Sequence, residues 1–394
     1  MNKKKDIPKV FWDILFICGF ARFFLFCIGW QKGKERGRMR ISLCMIVRQE
    51  EKALERCLEG IADAVEEIVI VDMGSTDRTK EIARQFTDKI YDFPWVDDFA
   101  AARNFAFSKG TGEYLLWMDA EDILPSGEKE KLLALKADLR ENPCDMVMML
   151  FDRGVDEGGR TKFSCYRERL VRRCPQARWQ GRANEVIPPF GSVRYEEIHF
   201  VRRKEKQKYS DCNLRIYEKM LAEGEKLSAR EWFYYGRELF AHEKQEQAAE
   251  VLRKFLENPE GGAENKSEAV RMLAHCLQAA GKEEEGISLL LAGLQFVPPT
   301  GEHCCEIGEY FYEKGRWEQA IFWYENALHA ERRTEQGAFV QEECYGFLPC
   351  IRLCVCYGRL GEWEMARMYN EMAGVFRPED ASVRQNREYL AKRA

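Results

Sequence analysis

Four small residues, Ala248, Gly286, Ala320 and Ala366, recur 38, 34 and 46 positions apart in the C-terminal part of the chain. A period near 34 is the length of one helix–turn–helix unit, and small residues belong where its paired helices touch. Three of the four follow Gly-rich or charged turns, Gly281-Lys-Glu, Gly315-Arg-Trp and Gly361-Glu-Trp. Pro298 and Pro378 stand where units end, and the wide last gap carries an insertion around Arg332–Cys344. Four stacked units suffice to bury a continuous core. Residues 226–394 are therefore expected to be all-α.

Residues 39–225 carry a different pattern. Ile41–Val47 is a continuous apolar run of buried-strand length, and Glu50–Ile61 shows helical spacing. Glu67–Asp72 is a second apolar strand, punctuated by Gly74-Ser-Thr-Asp77 and followed by a helix through Ile82, Ala83 and Phe86. Lys89–Asp92 gives a short strand, Asp98–Lys109 a helix and Glu113–Asp119 a fourth strand. Apolar strands alternating with helices predict an α/β domain with a parallel sheet covered on both faces. Ligands of such sheets bind beyond the carboxyl ends of the strands, here at Asp72 and Asp119.

Residues 1–38 form a hydrophobic and basic extension. Val10–Trp30 is rich in Phe, Ile and Leu but contains Asp13 and Arg22, so its insertion balance lies near zero. It reads either as a weak membrane anchor or in-plane helix, or as an extension ahead of a start at Met39. Over the whole chain of 394 residues, 45% hydrophobic and 32% charged residues exclude a disordered or collagenous protein. A net charge of -5 supplies no global attraction for nucleic acid. The fifteen cysteines are odd in number and form no CxxC, several lying in apolar runs (Cys44, Cys57, Cys276, Cys354). That usage argues for a reducing compartment rather than a disulfide scaffold or zinc ribbon.

No GxxxxGK[ST] and no GxGxxG after a strand occurs, which removes P-loop and dinucleotide readings. Asp72, at the edge of a buried strand, can accept hydrogen bonds from a base or ribose, whereas Asp77 and Ser75 read better as helix caps. Trp117-Met-Asp-Ala-Glu-Asp122 crowds three carboxylates after an apolar strand. Mg²⁺ or Mn²⁺ suits such oxygens and leaves positions for substrate phosphates; alternatively Glu121 and Asp122 start the next helix. Arg103, on the helix Asp98–Lys109, can ion-pair with a strand-end acid or grip a diphosphate. Glu185, in Trp179–Val186 after the basic strand Arg167–Arg173, is a candidate general base or a surface acid. His199, in the strand pattern Glu197–Val201, reads on its own as a satisfied core histidine.

In the first repeat unit Trp232, Tyr235, Gly236, Leu239, Ala248 and Leu252 fall at tetratricopeptide positions, as do Ile307, Gly308, Phe311, Ala320, Tyr324 and Ala327 in the third. Together with the motifs above, the chain resembles family 2 glycosyltransferases, in the bacterial branch with C-terminal tetratricopeptide repeats. The segments that carry the likeness are Leu43–Glu51, Val71-Asp-Met-Gly-Ser-Thr-Asp77, Trp95–Asn104, Asp119-Ala-Glu-Asp122 and Trp179–Val186. Three positions depart from the family pattern: Gln49 for Asn, Glu121 as the second acid of the metal motif, and Asn184 where His usually precedes Glu.

The resemblance implies an A-type nucleotide-sugar-binding domain followed by the helical repeats. It implies an inverting transferase using a nucleotide-diphosphate sugar, most often a uridine one. On it, Asp72, Arg103 and Glu50 would engage the donor nucleotide, and Asp119, Glu121 and His199 a Mn²⁺ or Mg²⁺ on the diphosphate. Glu185 would be the base by preference, with Asp122 in reserve. The acceptor is expected to be a peptide, protein, lipid or glycan, recognised in part by the repeats, and the catalytic domain to face the cytosol, where bacterial nucleotide sugars are. The rival from another class is a repeat-based interaction protein with a degenerate transferase domain, for which Gln49, Glu121 and Asn184 would speak. A nucleotidyltransferase would need a Gly-rich, Arg-containing loop after the first strand, which Arg48–Glu51 does not supply.

Overall fold

Strand β1 (Ile41–Val47) is buried along its whole length because it is apolar on both faces. Its odd residues Ile41, Leu43, Met45 and Val47 join Leu54, Leu58, Leu132 and Leu135 in one core. Its even residues Cys44 and Ile46 join Val69, Val71, Ala102, Ala106, Phe107, Trp117 and Trp179 in the core of the opposite face. Each such Leu or Ile contributes about 1.5–3 kcal/mol relative to exposure. Parallel neighbours β2 (Glu67–Asp72) and β4 (Tyr114–Trp117) flank β1, and β3 (Ile90–Asp92) extends the sheet beyond β2. Helices α1 (Leu54–Ile61), α2 (Thr79–Ala83) and α3 (Phe99–Lys109) make the crossovers.

The computed structural model describes residues 39–155, 161–203, 210–334 and 339–393, and Met39–Ala394 is one compact unit. The reading of Val10–Trp30 lies outside the described residues.

Beyond β4 the sheet is mixed, antiparallel at most contacts but parallel between its sixth and eighth strands. After β5 (Asp122–Ile123) and α4 (Ser126–Asp138) come β6 (Met146–Val155), β7 (Thr161–Arg172) and β8 (Val193–Arg202). The sheet order is β3-β2-β1-β4-β7-β6-β8-β5, with β4·β7, β6·β7 and β5·β8 antiparallel. The parallel sheet expected from the first four strands is present, while the strands after β5 add antiparallel pairs to it. Only five residues separate β6 from β7, too few for the crossover that a parallel pair needs.

Beyond α5 (Cys212–Ala222) the repeats are paired helices: α6 (Ala229–Ala241) with α7 (Gln245–Glu257), α8 (Ala263–Ala279) with α9 (Glu283–Gly293), α10 (Gly301–Glu313) with α11 (Trp317–His329), and α12 (Phe347–Leu360) with α13 (Trp363–Phe376). Helix α14 (Ala381–Ala391) follows. Ala248, Gly286, Ala320 and Ala366 each occupy the fourth position of the second helix of a pair, and all are buried. A Cβ on Gly286 would lie 3.3 Å from the Ala274 carbonyl oxygen, which shows why only small residues serve there. The insertion is not a plain loop: its Val340–Gln341 forms β9, antiparallel to β7 at Phe163 and Ser164. A β-strand from inside the repeats thus adds to the sheet.

Candidate functional site

Beyond the carboxyl ends of β1 and β4 opens a cleft of about 600 Å³. Its wall includes Arg48, Glu50, Trp95, Arg103, Asp119, Glu121, Arg167, Glu185 and Arg202, with Asn213 and Glu238 from the helical side.

Helix α3 carries the central group. Asp98 caps it by accepting the Ala101 N–H at 2.8 Å, which sets the register that buries Arg103 one turn on. The Arg103 guanidinium donates through Nη2 to Asp119 Oδ1 at 2.7 Å and through Nε to Glu185 Oε1 at 2.6 Å. It lies against the rings of Trp117 and Trp179, which also touch each other edge to face, 4.7 and 4.9 Å from their centroids. Its third nitrogen, Nη1, is buried without a partner. Burial alone would favour losing the proton, but the two carboxylates outweigh it and hold the charge on Arg103.

Asp119 ends up between two arginines, since its Oδ2 accepts from Arg202 Nη2. Burial pushes its carboxyl up, yet Arg103 and Arg202 together hold it well below the usual carboxylate range. Glu121 lines the same cleft and has no ion pair among the described residues. Glu50, from the turn after β1, has its carboxyl pushed up to about 7 by partial burial and by the charges of Glu121 and Asp119. Its backbone N–H is fixed by Thr79 Oγ1 at 2.8 Å.

The structure therefore brings Glu50, Arg103, Asp119, Glu121 and Glu185 to one cleft, and leaves Asp72, Asp122 and His199 off its wall. Asp122 is fully buried, with its Oδ2 2.9 Å from Arg169, its Oδ1 3.0 Å from Arg202, and the Asp119 N–H on Oδ2. Saturated and closed to solvent, it is corrected from reserve base to structural counter-ion. His199 sits on β8 with Nδ1 2.8 Å from Asp152 Oδ2, a pairing that raises its pKa. His199 is absent from the cleft wall that carries Asp119 and Glu121, and among the described residues the three are not grouped as metal ligands. Asp72 accepts the N–H groups of Gly74 and Ser75 at 3.0 and 2.9 Å, holding the turn after β2, while its Oδ1 is buried without a partner. Asp77 accepts the Thr79 N–H at 3.1 Å in a turn ahead of α2, whose N-cap position is Arg78.

Among the described residues no group of three His, Cys, Asp or Glu side chains is arranged to hold a metal. Of the three acids seen in the sequence, Asp119 and Asp122 are paired with Arg103, Arg169 and Arg202, and Glu121 is not. The donor set still fits a hard cation that takes most ligands from a substrate, because Mg²⁺-type ions need only one or two protein carboxylates beside phosphate oxygens. Glu121 and Asp119, the acids of this motif on the cleft wall, would be those carboxylates.

Sequence reasoning missed Arg202, Arg169, Trp117 and Trp179 as parts of this site, and Glu238 altogether. The alternation Arg167-Glu168-Arg169 in a strand was a signal for the second arginine. It puts Arg169 on the buried face, 4.1 Å from the Trp117 ring centroid.

With this geometry in place, comparison with known proteins is decisive at the domain level: the model of glycosyl transferase family 2 matches residues 42–207. Residues 42–207 are a family 2 glycosyl transferase domain. The glycosyltransferase SunS of Bacillus subtilis is 26% identical over 230 residues, which cover 55% of this chain and 53% of that protein. A TPR repeat-containing protein of Synechococcus elongatus is 35% identical over 150 residues, 38% of this chain and 35% of that protein. The chain thus spans about a third to a half of the length of these relatives. Among solved structures, S. aureus TarS 1–349 in complex with UDP-GlcNAc covers 65% of this chain and 91% of its own at 15% identity and TM-score 0.38. The cleft described above lies largely in the glycosyltransferase domain, and one side of it is closed by α5 together with Glu238 of α6, the first helix of the repeats.

Proposed function

We propose that the protein is an inverting glycosyltransferase that moves a sugar from a nucleotide-diphosphate donor, with uridine as the nucleoside, to an acceptor presented with the help of the repeats. The observation that carries this is Arg103. In a glycosyltransferase domain, one buried guanidinium holds both a strand-end acid and the carboxylate best placed as a base, and keeps one N–H donor unspent.

The chain's own groups suffice for a coherent sequence of events. Arg103 and Arg202 face the diphosphate and stabilise charge that develops as it leaves, in a site where donors are already oriented. Glu185, with Oε1 fixed by Arg103, uses Oε2 to take the acceptor's proton. The acceptor's oxygen, sulfur or nitrogen forms its bond to the anomeric carbon from the face opposite the diphosphate, which departs with the bonding electron pair. Configuration is thereby inverted. A Mn²⁺ or Mg²⁺ held by Glu121 and Asp119 would add positive charge at the leaving diphosphate. Glu50 and the turn held by Asp72 flank the donor end of the cleft. A second groove of about 350 Å³ along α8–α12, with Leu290, Glu306, Tyr310 and Arg352 in its wall, supports the reading that the repeats hold acceptor or partner. Placement in the cytosol follows from where such donors are found. Among the described residues no helix is long and apolar enough to cross a membrane.

The test is release of UDP from a panel of UDP-sugars by wild type and Glu185→Gln. Loss of a general base costs about 10²- to 10⁴-fold. A Glu185→Gln rate equal to wild type, or no release from any UDP- or GDP-sugar, would refute the assignment.

A further inference from the structure

Among the described residues, Glu238 is the one carboxylate that the repeats contribute to the cleft wall. It sits in α6, is 3% exposed, and no cation pairs with it among the described residues. Its Oε1 accepts from Asn184 Nδ2 at 3.1 Å and from Asn213 Nδ2 at 2.9 Å, and its Oε2 is buried with no partner. A buried carboxylate with one unpaired oxygen is costly. An apolar or amide residue would serve packing better, so the position calls for another explanation.

The explanation lies in the segment it holds. Gln180 and Val186 exchange backbone hydrogen bonds at 2.9 and 3.0 Å, closing a tight loop over residues 181–185. Within it Gly181 and Asn184 have φ of +89° and +48°. The left-handed region is unfavourable for most L-residues, although asparagine tolerates it best. Helix α6 grips this loop twice: Glu238 takes the Asn184 side chain, and Arg230 Nη2 donates to the Asn184 carbonyl oxygen at 3.3 Å. The next residue is Glu185, whose carboxylate is the one held by Arg103.

We propose that Glu238 is a positioning residue for the transfer site, fixing the Asn184 turn and through it the orientation of Glu185, so that the first repeat helix completes the catalytic cleft. This rests on the function proposed above. The asparagine that replaces the family's usual histidine beside Glu185 is accommodated here by a partner from the repeats. The repeats are thus a working part of the site as well as a binding surface.

The experiment compares wild type, Glu238→Ala, Glu238→Gln and, as a helix-stability control on the same element, Glu231→Ala, which breaks the capping box with Ser228. UDP release from the best UDP-sugar is measured with water as acceptor, alongside hydrogen exchange of residues 180–186. Glu238→Ala should lose 10-fold or more in kcat with donor KM within twofold, and should lose protection at Gln180 and Val186. Glu238→Gln keeps an oxygen for Asn184 and should recover most of kcat. Glu231→Ala should lower melting temperature without that kcat loss. Equal kcat in Glu238→Ala and wild type, or equal losses in the Ala and Gln variants, overturns the inference while leaving the proposed function standing. A wild type that neither binds UDP nor releases it overturns the proposed function, and this role for Glu238 with it. If UDP binds without turnover, exchange decides: unchanged protection in Glu238→Ala overturns the clamp, and lost protection supports it.

Discussion

Replacing Arg103 by methionine should be among the most damaging single changes in the glycosyltransferase domain. Methionine keeps much of the side-chain volume against Trp117 and Trp179 but leaves Asp119 and Glu185 without a shared cation. Breaking a buried pair from one side costs about 3–5 kcal/mol, since charge is left uncompensated. The lost stacking on two indole rings adds about 0.5–1 kcal/mol each. Arg202 still pairs with Asp119, so the lower part of the range applies. The total is then about 4–6 kcal/mol, and for a unit spanning Met39–Ala394, at about 2.1 cal/mol/K per residue, it corresponds to a fall of roughly 5–8 °C in melting temperature. The reasoning predicts more than a loss: neutralising both acids as well, in Arg103→Met with Asp119→Asn and Glu185→Gln, should return most of the stability, because a buried ionic cluster is often no more stable than its neutral replacement. Thermal melts of the single and triple variants at pH 7.5 test this. A single variant within 1 °C of wild type, or a triple variant no better than the single, refutes the view of Arg103 as a buried double counter-ion.

Glu50 gives a pH prediction. Its folded pKa of about 7 lies above the ordinary 4.5, so the folded state holds a proton that the unfolded state has released across that window. Stability is therefore full below pH 4.5, falls as pH rises to 7, and levels off above it. Discounted for partial exposure, the loss is about 1–2 kcal/mol, and Glu50→Gln should be more stable than wild type by that amount at pH 8 but not at pH 4.5. Equal stabilities at pH 8 would contradict the shift. His199→Ala should leave any Mn²⁺-dependent stabilisation by UDP unchanged, since His199 does not line the cleft that holds Asp119 and Glu121. Its loss would restore His199 as a ligand. Gly308→Val should cost about 1–3 kcal/mol by overpacking, as a Cβ there already meets the Tyr324 ring at 3.0 Å. An unaffected melt would show that the α10–α11 contact can relax.

What the sequence discloses follows what each element depends on. Strands β1 and β2 end where the apolar runs end, and the four small residues land at one helical position, because both signals are local. The antiparallel pairs of the sheet were hidden, since a pairing such as β6–β7 depends on partners as much as on its own pattern. The strand β9 looked like an insertion for the same reason: Val340 gains its place only by pairing with Ser164 of β7. At the site, motif order identified Arg103, Asp119, Glu121 and Glu185 as a group. Position along the chain said nothing of Arg169 and Arg202, which take up the negative charge assigned to a metal, nor of Glu238, more than fifty residues from the loop it grips. The family match confirms the domain and leaves those pairings to geometry.

The central claim is that this cleft binds a nucleoside diphosphate. Calorimetric titration of the full chain with UDP, with and without Mn²⁺ and with GDP as control, tests it most directly. The account predicts a single site for UDP that Mn²⁺ strengthens, that Glu121→Ala makes insensitive to Mn²⁺, and that Arg103→Met abolishes in protein still folded at the titration temperature. No binding of either nucleotide, or UDP binding unchanged in folded Arg103→Met, would contradict it.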